Sequence, residues 1–369
     1  MKTKVLFIMH MPPPIHGAAM MGKYIHDSKM INDRFACQYI NTSASNKLDN
    51  IGKISFKKIF FLCHHLWDIT KTIKQTKPDI VYYTPTADGL GIYRDMLIIS
   101  IFKVMKCNIL LHMHNKGCEA YSNYHKISHI AYRIIFKNVK VILLAENLYS
   151  DISKYVERKN VFICPNGIPE TLQQEINAER YNKIPNLLFL SNLLETKGVY
   201  VLLDALHILK KKGYSFTCHF VGDESLQINE KKFKQEVYSR NLTNEVIYHG
   251  KKYGNEKNFF LLNADIFVFP TYFEAFGLVA IEAMEYKLPV IGTNEGGLSS
   301  IIINGQTGYI SEKKDKKSLA DCIEKLLNDK NLRIKMGENG YQRYKECYTL
   351  KVFEKNIIEI ITQVTHKKK

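Results

Sequence analysis

The sequence predicts an α/β protein with two doubly wound domains facing each other across a cleft. Short apolar runs, typical of buried parallel strands, alternate with helical patterns. The alternation occurs twice, and a polar stretch without apolar periodicity, residues 170–184, separates the two series. The length of 369 residues suffices for two domains with their own cores. We therefore predict a first domain over 1–169, a linker over 170–184 and a second domain over 185–344.

The first series contains five predicted strands and an amphipathic helix. The strands are Val5–Met9, Asp79–Tyr83, Cys107–Met113, Val139–Ala145 and Val161–Cys164. The stretch Ser55–Thr76 has apolar residues near helical spacing and lysines on its other face, which predicts the helix.

Two histidines follow the third of these strands. Period-two alternation places His112 and His114 on one side, near the carboxyl end, where open α/β sheets bind ligands. Their spacing to Cys118 matches no common zinc pattern. For His114 the pattern slightly favours a functional role over that of an ordinary loop histidine.

The second series repeats the alternation. Its predicted strands are Leu187–Leu190, Thr217–Val221, Val246–Gly250, Ile266–Phe269, Val290–Ile291 and Thr307–Ile310. Its predicted helices are Gly198–Lys212, Phe276–Tyr286, Ser318–Leu327 and Leu332–Tyr344, and a last amphipathic helix covers Val352–Val364.

The stretch Ala264–Gly297 carries the clearest chemical signal. Between a strand and a helix it places Glu274 and Gly277, and a helix N-terminus with a nearby glycine is suited to binding phosphate. Glu282 lies about two helical turns after Glu274. It follows Ile281 in an otherwise apolar helix, which favours a buried, partnered carboxylate over a solvated one.

Composition limits the class of protein. The eight cysteines form no C-x-x-C pair, which indicates a reducing compartment without a disulfide framework. No apolar run is long enough to span a bilayer, and the N-terminus lacks the features of a signal peptide, so we expect a cytoplasmic protein. Residues 1–170 contain 23 Lys and Arg against 12 Asp and Glu, a net of +11, and the whole chain has +16. This excess indicates a polyanionic partner or simply a soluble lysine-rich surface.

Several motifs in order resemble the retaining, nucleotide-sugar-dependent glycosyltransferases of family 4, which have the GT-B fold of two Rossmann-like domains. The resemblance covers nearly the whole chain and is strongest from Leu187 to Ile310. The motifs are Gly17-Ala18, the His114 position, Asn166-Gly167-Ile168, Lys197-Gly198, Glu274 through Glu282 with Pro289-Val290, Gly296-Gly297 and Asn304 through Gly308.

The resemblance implies a role for each site residue. Glu274 positions the donor sugar, Glu282 binds the ribose, and His114 lines the reacting centre from the opposite domain. Lys197, which the resemblance places with Glu274 and His114 among the catalytic residues, stabilises the leaving diphosphate. The other donor-binding positions are Gly17, Asn192, Phe276, Gly277 and Leu278. Asn192 stands where the family usually has arginine, so Lys197 would provide a point charge to the diphosphate without an arginine fork.

The resemblance also implies an overall reaction. A sugar from a UDP- or GDP-linked donor passes to a glycan or lipid-linked saccharide with retained anomeric configuration, in polysaccharide or lipopolysaccharide assembly. We expect no cofactor and no required metal, because the sequence contains no Asp-x-Asp pair. The last helix, within residues 345–369, is expected to pack on the first domain.

A peripheral contact with an anionic membrane is a further expectation. The Ser55–Thr76 helix places Phe56, Phe60, Phe61 and Trp67 among lysines, a combination suited to a membrane interface. The alternative, in which the aromatic residues belong to the core and the lysines to its solvated rim, is about equally well supported.

Three other functions compete with this interpretation. A nucleotide-sugar epimerase can share the architecture and needs no acceptor. A nicotinamide-dependent dehydrogenase is disfavoured because Arg94 replaces the third glycine after Gly89-Leu90-Gly91. A nucleic-acid-binding protein would explain the charge, but no recognition helix or stacking motif accompanies it.

Overall fold

The computed structural model describes residues 2–14, 16–42, 56–171 and 182–366, and it contains two compact units. The first unit is Met1–Asn166 with Leu350–Lys369, and the second is Gly167–Thr349. Each contains a six-stranded sheet in which every pair of neighbouring strands is parallel. The predicted α/β class is therefore confirmed. Most of the predicted linker, residues 172–181, lies outside the described residues.

The first sheet contains the five predicted strands and one more. Its strands are β1 (Lys4–Met9), β2 (Ala36–Asn41), β3 (Ile80–Tyr83), β4 (Ile109–His112), β5 (Lys140–Leu143) and β6 (Val161–Ile163). They are arranged in the order β2-β1-β3-β4-β5-β6. The strand that the sequence analysis missed, β2, is an edge strand with partly exposed side chains, so it lacks the continuous apolar run of β3 and β4.

The helices of the first unit cover both faces of this sheet. They are α1 (Gly17–Asp27), α2 (Lys29–Arg34), α3 (Phe56–Thr76), α4 (Gly91–Val104), α5 (Cys118–Tyr124), α6 (Lys126–Phe136) and α14 (Leu350–His366). The crossovers from β2 to β3, β3 to β4 and β4 to β5 all run in one direction along the sheet. Right-handed connections therefore place α3, α4 and α6 on the same face, where α4 contacts both neighbours. The last helix, α14, packs against α2.

The second sheet has the doubly wound Rossmann order. Its strands are β7 (Asn186–Leu190), β8 (Thr217–Val221), β9 (Val246–Tyr248), β10 (Ile266–Val268), β11 (Val290–Thr293) and β12 (Gly308–Ser311). Their order is β9-β8-β7-β10-β11-β12, read from one edge. The direction of strand addition reverses between β7 and β10, and such a switch point is where open α/β sheets bind ligands.

Seven helices of the described residues accompany this sheet. They are α7 (Val199–Lys211), α8 (Glu230–Ser239), α9 (Gly254–Asn263), α10 (Leu278–Glu285), α11 (Leu298–Ile301), α12 (Lys316–Asn328) and α13 (Lys330–Cys347). The sequence does not predict α8, because only Phe233 and Val237 of this polar helix are buried. Two apolar positions are too few to show a helical period in the sequence.

Two expectations from composition can be compared with the fold. All eight cysteines are free, as the absence of paired spacing predicts. Among the described helices, none combines the length and apolar composition of a membrane-spanning segment.

Candidate functional site

Lys197 and Glu274 meet at the switch point of the second sheet. Lys197 ends a short 3₁₀ turn after β7, and Glu274 lies in the loop after β10. The Lys197 Nζ is 2.8 Å from Glu274 Oε2 and 3.3 Å from the carbonyl oxygen of Phe273. Both side chains are 20% exposed, so the pair is partly shielded from water yet accessible from one side.

The other carboxylate oxygen of Glu274 accepts backbone hydrogen bonds. The N–H groups of Ala275 and Phe276 donate to Glu274 Oε1 at 3.0 and 3.3 Å. A lysine and two backbone N–H groups thus surround one carboxylate. The same three hydrogen-bond donors are suited to binding phosphate oxygens. The carboxylate of Glu274 thus bonds the N–H group of Phe276, one of the donor-binding positions that the resemblance implies.

The helix after this loop begins later than predicted. The sequence predicts a helix from Phe276, whereas α10 begins at Leu278. Gly277 precedes it with φ of 96°, in the left-handed region that favours glycine, so the chain turns before the helix starts. Phe276 is buried against Tyr348, their ring centroids 6.1 Å apart.

The glycine pair after β11 packs against the same loop. A Cβ on Gly296 would overlap the carbonyl oxygen of Glu274, and one on Gly297 would lie 2.6 Å from the Phe276 ring. The Gly297 N–H also donates to the carbonyl oxygen of Ala275 at 2.8 Å. Close backbone packing therefore explains both glycines, and it holds the Glu274 loop in place.

A second carboxylate supports this loop, and sequence analysis missed it. Glu295 is 2% exposed; its Oε2 is 2.5 Å from Lys313 Nζ, and its Oε1 accepts the N–H of Glu274 at 3.3 Å. Its position just before the glycine pair, at the carboxyl end of a strand beside β10, was the available signal. Burial of a glutamate, however, depends on tertiary partners that spacing does not reveal.

We expect Glu295→Ala to lower the free energy of unfolding by about 2 kcal/mol, because it leaves a backbone N–H and a lysine without their acceptor. Urea denaturation measures the change. Glu338→Ala, which removes an exposed ion-pair partner of Lys287, is the control and should cost less than about 1 kcal/mol. Equal effects in the two variants would contradict the supporting role of Glu295.

Glu282 is half-buried in α10 and has a partner. Its Oε2 lies 2.9 Å from Nζ of Lys257, which belongs to α9. The fully buried carboxylate of α10 is instead Glu285, which accepts hydrogen bonds from the N–H of Thr171 and, at 3.2 Å, from the Tyr344 hydroxyl. Burial raises the pKa of Glu285. Glu285 therefore anchors the chain entering the second unit, whereas the Glu282 side chain is 21% exposed.

Asn192 joins two loops of the second unit. It is exposed, and its Oδ1 accepts the N–H of Asp223 at 3.2 Å. A Cβ on Gly222 would overlap the neighbouring backbone of Ser191 and Asn192, so the loops after β7 and β8 are in close contact. Among the described contacts, Asn192 is bonded to the β8 loop and not to Lys197 or Glu274.

In the first unit, the rings of His114 and His112 lie against each other, tilted by 33°, at the carboxyl end of β4. Their ring centroids are 4.1 Å apart, as the predicted alternation requires, and both side chains are buried. Nδ1 of His112 lies 2.5 Å from the Tyr82 hydroxyl, which orients that ring. Nδ1 of His114 is buried and has no hydrogen-bond partner within the described part of the chain.

Burial keeps these histidines neutral. It lowers the pKa of His114 to about 3, with smaller contributions from His10 and His16. Burial, followed by the charge of Arg94, lowers the pKa of His10 to about 4. His114 at neutral pH can therefore donate or accept a hydrogen bond, but it does not act as a cation.

These pKa values predict loss of stability in acid. Because the folded-state pKa of His114 lies near 3 and its ordinary value is 6.5, the unfolded chain binds more protons between these pH values. The contribution of His114 to the free energy of unfolding is therefore fully present above about pH 6.5, and it is lost progressively as the pH drops below that value. In His114→Gln the slope of unfolding free energy against pH should decrease by about 1.4 kcal/mol per pH unit, the value for one proton.

Urea denaturation at several pH values measures this slope. His366→Gln changes an exposed histidine of α14 and should leave the slope unchanged. A slope in His114→Gln equal to that of the unmodified protein would contradict a neutral buried His114.

Gly17 is the first residue of α1 and is exposed. The helix begins directly after His16, whose Nδ1 accepts the N–H of Ala19 at 3.3 Å. The close approach in this region involves Gly22, where a Cβ would overlap the carbonyl oxygen of His10. The middle of α1 therefore lies against the chain that leaves β1, at the switch point between β1 and β3.

Arg94, which replaces the third glycine of a dinucleotide-binding pattern, belongs to a partly buried ion pair. Arg94 pairs at 2.7 Å with Asp95, which is fully buried. Asp95 also accepts hydrogen bonds from the Tyr83 hydroxyl at 2.7 Å and the Thr86 N–H at 2.6 Å. Asp95 thereby fixes the loop after β3, a role that sequence analysis missed because it too depends on burial.

Within residues 2–14, 16–42, 56–171 and 182–366, no three His, Cys, Asp or Glu side chains lie close enough together to share a metal ion.

The match to a known protein family lies in the second unit. Residues 170–343 match the family model of glycosyl transferases group 1. This range includes Lys197, Glu274, Glu282 and Glu295, the charged groups described above.

Similar proteins include curated relatives and solved structures. The capsular polysaccharide biosynthesis glycosyltransferase CapM of Staphylococcus aureus is 31% identical over 233 residues, 59% of this chain and 60% of that protein. An uncharacterized glycosyltransferase of Methanocaldococcus jannaschii is 35% identical over 207 residues, 56% of this chain and 55% of that protein. The chain thus spans less than two-thirds of the length of these relatives.

The structural likeness extends over both units. Sucrose-phosphate synthase from Thermosynechococcus elongatus has a TM-score of 0.74 at 17% identity, covering 99% of this chain and 100% of that one. Anabaena HepE in complex with UDP also has a TM-score of 0.74, at 16% identity, covering 98% of this chain and 100% of that one. The chain therefore has the GT-B fold.

Proposed function

We propose that this protein is a retaining glycosyltransferase that moves a sugar from a nucleoside diphosphate to a saccharide acceptor. The Lys197–Glu274 pair carries the proposal. It lies with two backbone N–H groups at the switch point of a Rossmann-order sheet, inside the range that matches the glycosyltransferase family model.

The proposed reaction breaks the bond between the anomeric carbon and the β-phosphate oxygen. A hydroxyl oxygen of the acceptor forms the new bond to that carbon, and its proton passes to the leaving phosphate. Negative charge grows on the diphosphate, and the Lys197 ammonium with the N–H groups of Ala275 and Phe276 stabilises it. Same-face attack would retain the anomeric configuration.

Donor binding requires an exchange of partners at Glu274. In the structure its carboxylate bonds Lys197 and the two N–H groups that the diphosphate needs. When the diphosphate takes these partners, the carboxylate is released to accept hydrogen bonds from sugar hydroxyls. Glu274 thus keeps the anion site neutralised until the donor arrives, and then it positions the sugar.

Glu282 and His114 have supporting roles in this proposal. Glu282 accepts hydrogen bonds from the ribose diol, and Lys257, whose Nζ is 2.9 Å from Glu282 Oε2, holds the carboxylate in place. His114 is neutral at physiological pH because burial lowers its pKa to about 3. Its imidazole can therefore hydrogen-bond a reacting sugar without adding positive charge.

For substrates, we propose a UDP- or GDP-linked hexose and a glycan or lipid-linked saccharide of a cell-surface polysaccharide. The similarity to CapM, a capsular polysaccharide enzyme by name, supports the acceptor class. The structure of HepE with UDP supports a nucleotide-sugar donor. We also propose that no metal is required, since Lys197 and backbone N–H groups provide the diphosphate contacts.

Two measurements test the function. UDP or GDP should raise the melting temperature, whereas NAD and oligonucleotides should not. Incubation with a panel of nucleotide sugars should then release free nucleoside diphosphate, also in the presence of EDTA. Conversion of one nucleotide sugar into its epimer without an acceptor would support the competing epimerase function instead.

A further inference from the structure

The outer helix layer of the first unit exposes large apolar side chains. On α6, Ile127 is 71% and Ile130 61% exposed, and on α4, Val104 is 83% exposed. Leu97, seven residues before Val104 on the same helical face, is also exposed. On α3, Trp67 is 60% exposed, so the alternative that places the aromatic residues of this helix in the core is wrong for this tryptophan.

These residues belong to one continuous surface. The helices α3, α4 and α6 lie side by side on one face of the sheet, with α4 in contact with both others. The Lys103 side chain on α4 bonds the carbonyl oxygens of Ile134 and Ile135 on α6, which joins the carboxyl ends of the two helices. We name the exposed side of α3, α4 and α6 the outer helix face. Phe56, Phe60 and Phe61, also predicted to contact membrane, have side chains outside the described part of the structure.

Cations surround the apolar side chains on the outer helix face. Residues 91–137 contain seven Lys and Arg against two carboxylates. One carboxylate, Asp95, is buried, and the other, Glu119, pairs with Lys154 at 3.3 Å. The exposed cations are Lys106, Lys126, Arg133 and Lys137, and none of them forms an ion pair within the described residues.

The charges and apolar side chains of α6 share one side of the helix. Lys126, Ile130, Arg133 and Lys137 follow one another at three- or four-residue intervals, with Ile127 beside them. On α3, Nζ of Lys71 lies 4.9 Å from the centre of the Trp67 ring. Tryptophan and lysine together are suited to the boundary between lipid headgroups and acyl chains.

We propose that the outer helix face docks the protein on an anionic lipid bilayer. A bilayer provides a partner for both the apolar and the charged side chains of this face. Its acyl chains contact Ile127, Ile130 and Val104, and its anionic headgroups pair with the lysines and arginine. A nucleic acid would use the cations and leave the isoleucines in water. A second copy of the chain, joined through the same face, would bring the two sets of cations together.

This docking does not rest on the proposed transferase activity, because it can be measured without a nucleotide sugar. Co-sedimentation with vesicles of phosphatidylcholine containing phosphatidylglycerol should show binding that weakens as salt rises. Vesicles of phosphatidylcholine alone should bind the protein much less. Absence of binding to the anionic vesicles at low salt would overturn the proposal.

Two variants locate the surface. Each of two double variants should reduce vesicle affinity about tenfold or more. One combines Lys126→Glu with Arg133→Glu, and the other combines Ile127→Ser with Ile130→Ser. The matched control, Ile334→Ser with Lys335→Glu, changes an exposed isoleucine and lysine of α13 and should bind as the unmodified protein does. Circular dichroism and nucleotide-dependent melting confirm that each variant folds.

Other outcomes identify a different surface or partner. Unchanged binding in both variants would place the lipid contact elsewhere and overturn the assignment of this face. Loss of a dimer in the Ile127→Ser, Ile130→Ser variant, observed by analytical ultracentrifugation, would identify an interface between copies. RNA that displaces the unmodified protein from vesicles, together with vesicles that fail to displace the protein from immobilised RNA, would identify a nucleic acid as the partner.

Discussion

Lys197→Met is expected to lower the rate of donor-dependent nucleoside diphosphate release by about a hundredfold or more, the usual effect of removing one stabilising donor from a developing anion. Its Nζ lies 2.8 Å from Glu274 and is the cation at the switch point. The free energy of unfolding should change little, because Glu274 keeps its two N–H partners and a partly exposed ion pair contributes about 1 kcal/mol or less. Steady-state assays and urea denaturation separate the two effects.

Glu274→Gln should likewise reduce release while leaving the fold intact. The amide oxygen can still accept the Ala275 and Phe276 N–H groups, but it lacks the charge that balances Lys197. The control is Lys212→Met, which removes the Lys212–Glu324 pair of the same unit. Activity of Lys197→Met and Glu274→Gln equal to that of Lys212→Met would contradict the site.

Gly198→Ala is expected to lower the free energy of unfolding by about 3 kcal/mol or more and to abolish nucleotide-dependent stabilisation. Gly198 has φ of 81°, and a Cβ there would overlap the carbonyl oxygen of Pro270. Relief of this overlap would push the Lys197 turn away from the loop that carries Glu274. Chemical denaturation with and without UDP or GDP measures both effects.

The chain provides a matched control for backbone strain. Gly213 has φ of 86°, but a Cβ there would meet no atom within 4 Å. Gly213→Ala should therefore cost only the left-handed conformation, about 1–2 kcal/mol, and leave nucleotide binding unchanged. If the two alanine variants lose equal stability, the close approach of Gly198 to Pro270 does not determine the site.

The sequence predicts much of the fold because parallel strands are buried on both faces. Continuous apolar runs such as Ile80–Tyr83 therefore identify their own strands. Strands and helices are harder to predict from the sequence where their side chains are only partly buried. The edge strand β2 and the polar helix α8 lack a strong apolar period, so local patterns do not reveal them.

The candidate site could be predicted only in part for a related reason. Glu274, Lys197 and Gly277 stand at strand ends and helix starts, positions that sequence patterns identify. Glu295 and Asp95 are buried carboxylates whose roles depend on partners distant in sequence, Lys313 and the loop after β3. The Glu274–Lys197 bond was also not predicted, although each residue was, because spacing does not show which side chains meet.

In the proposed function, the switch point of the second sheet holds the donor diphosphate. A crystal structure of the protein with UDP or GDP tests this placement most directly. We expect a diphosphate oxygen within hydrogen-bonding distance of Lys197 Nζ and of the Ala275 and Phe276 N–H groups, with the Glu274 carboxylate displaced from them. A nucleotide bound elsewhere, with the Lys197–Glu274 pair intact, would contradict it.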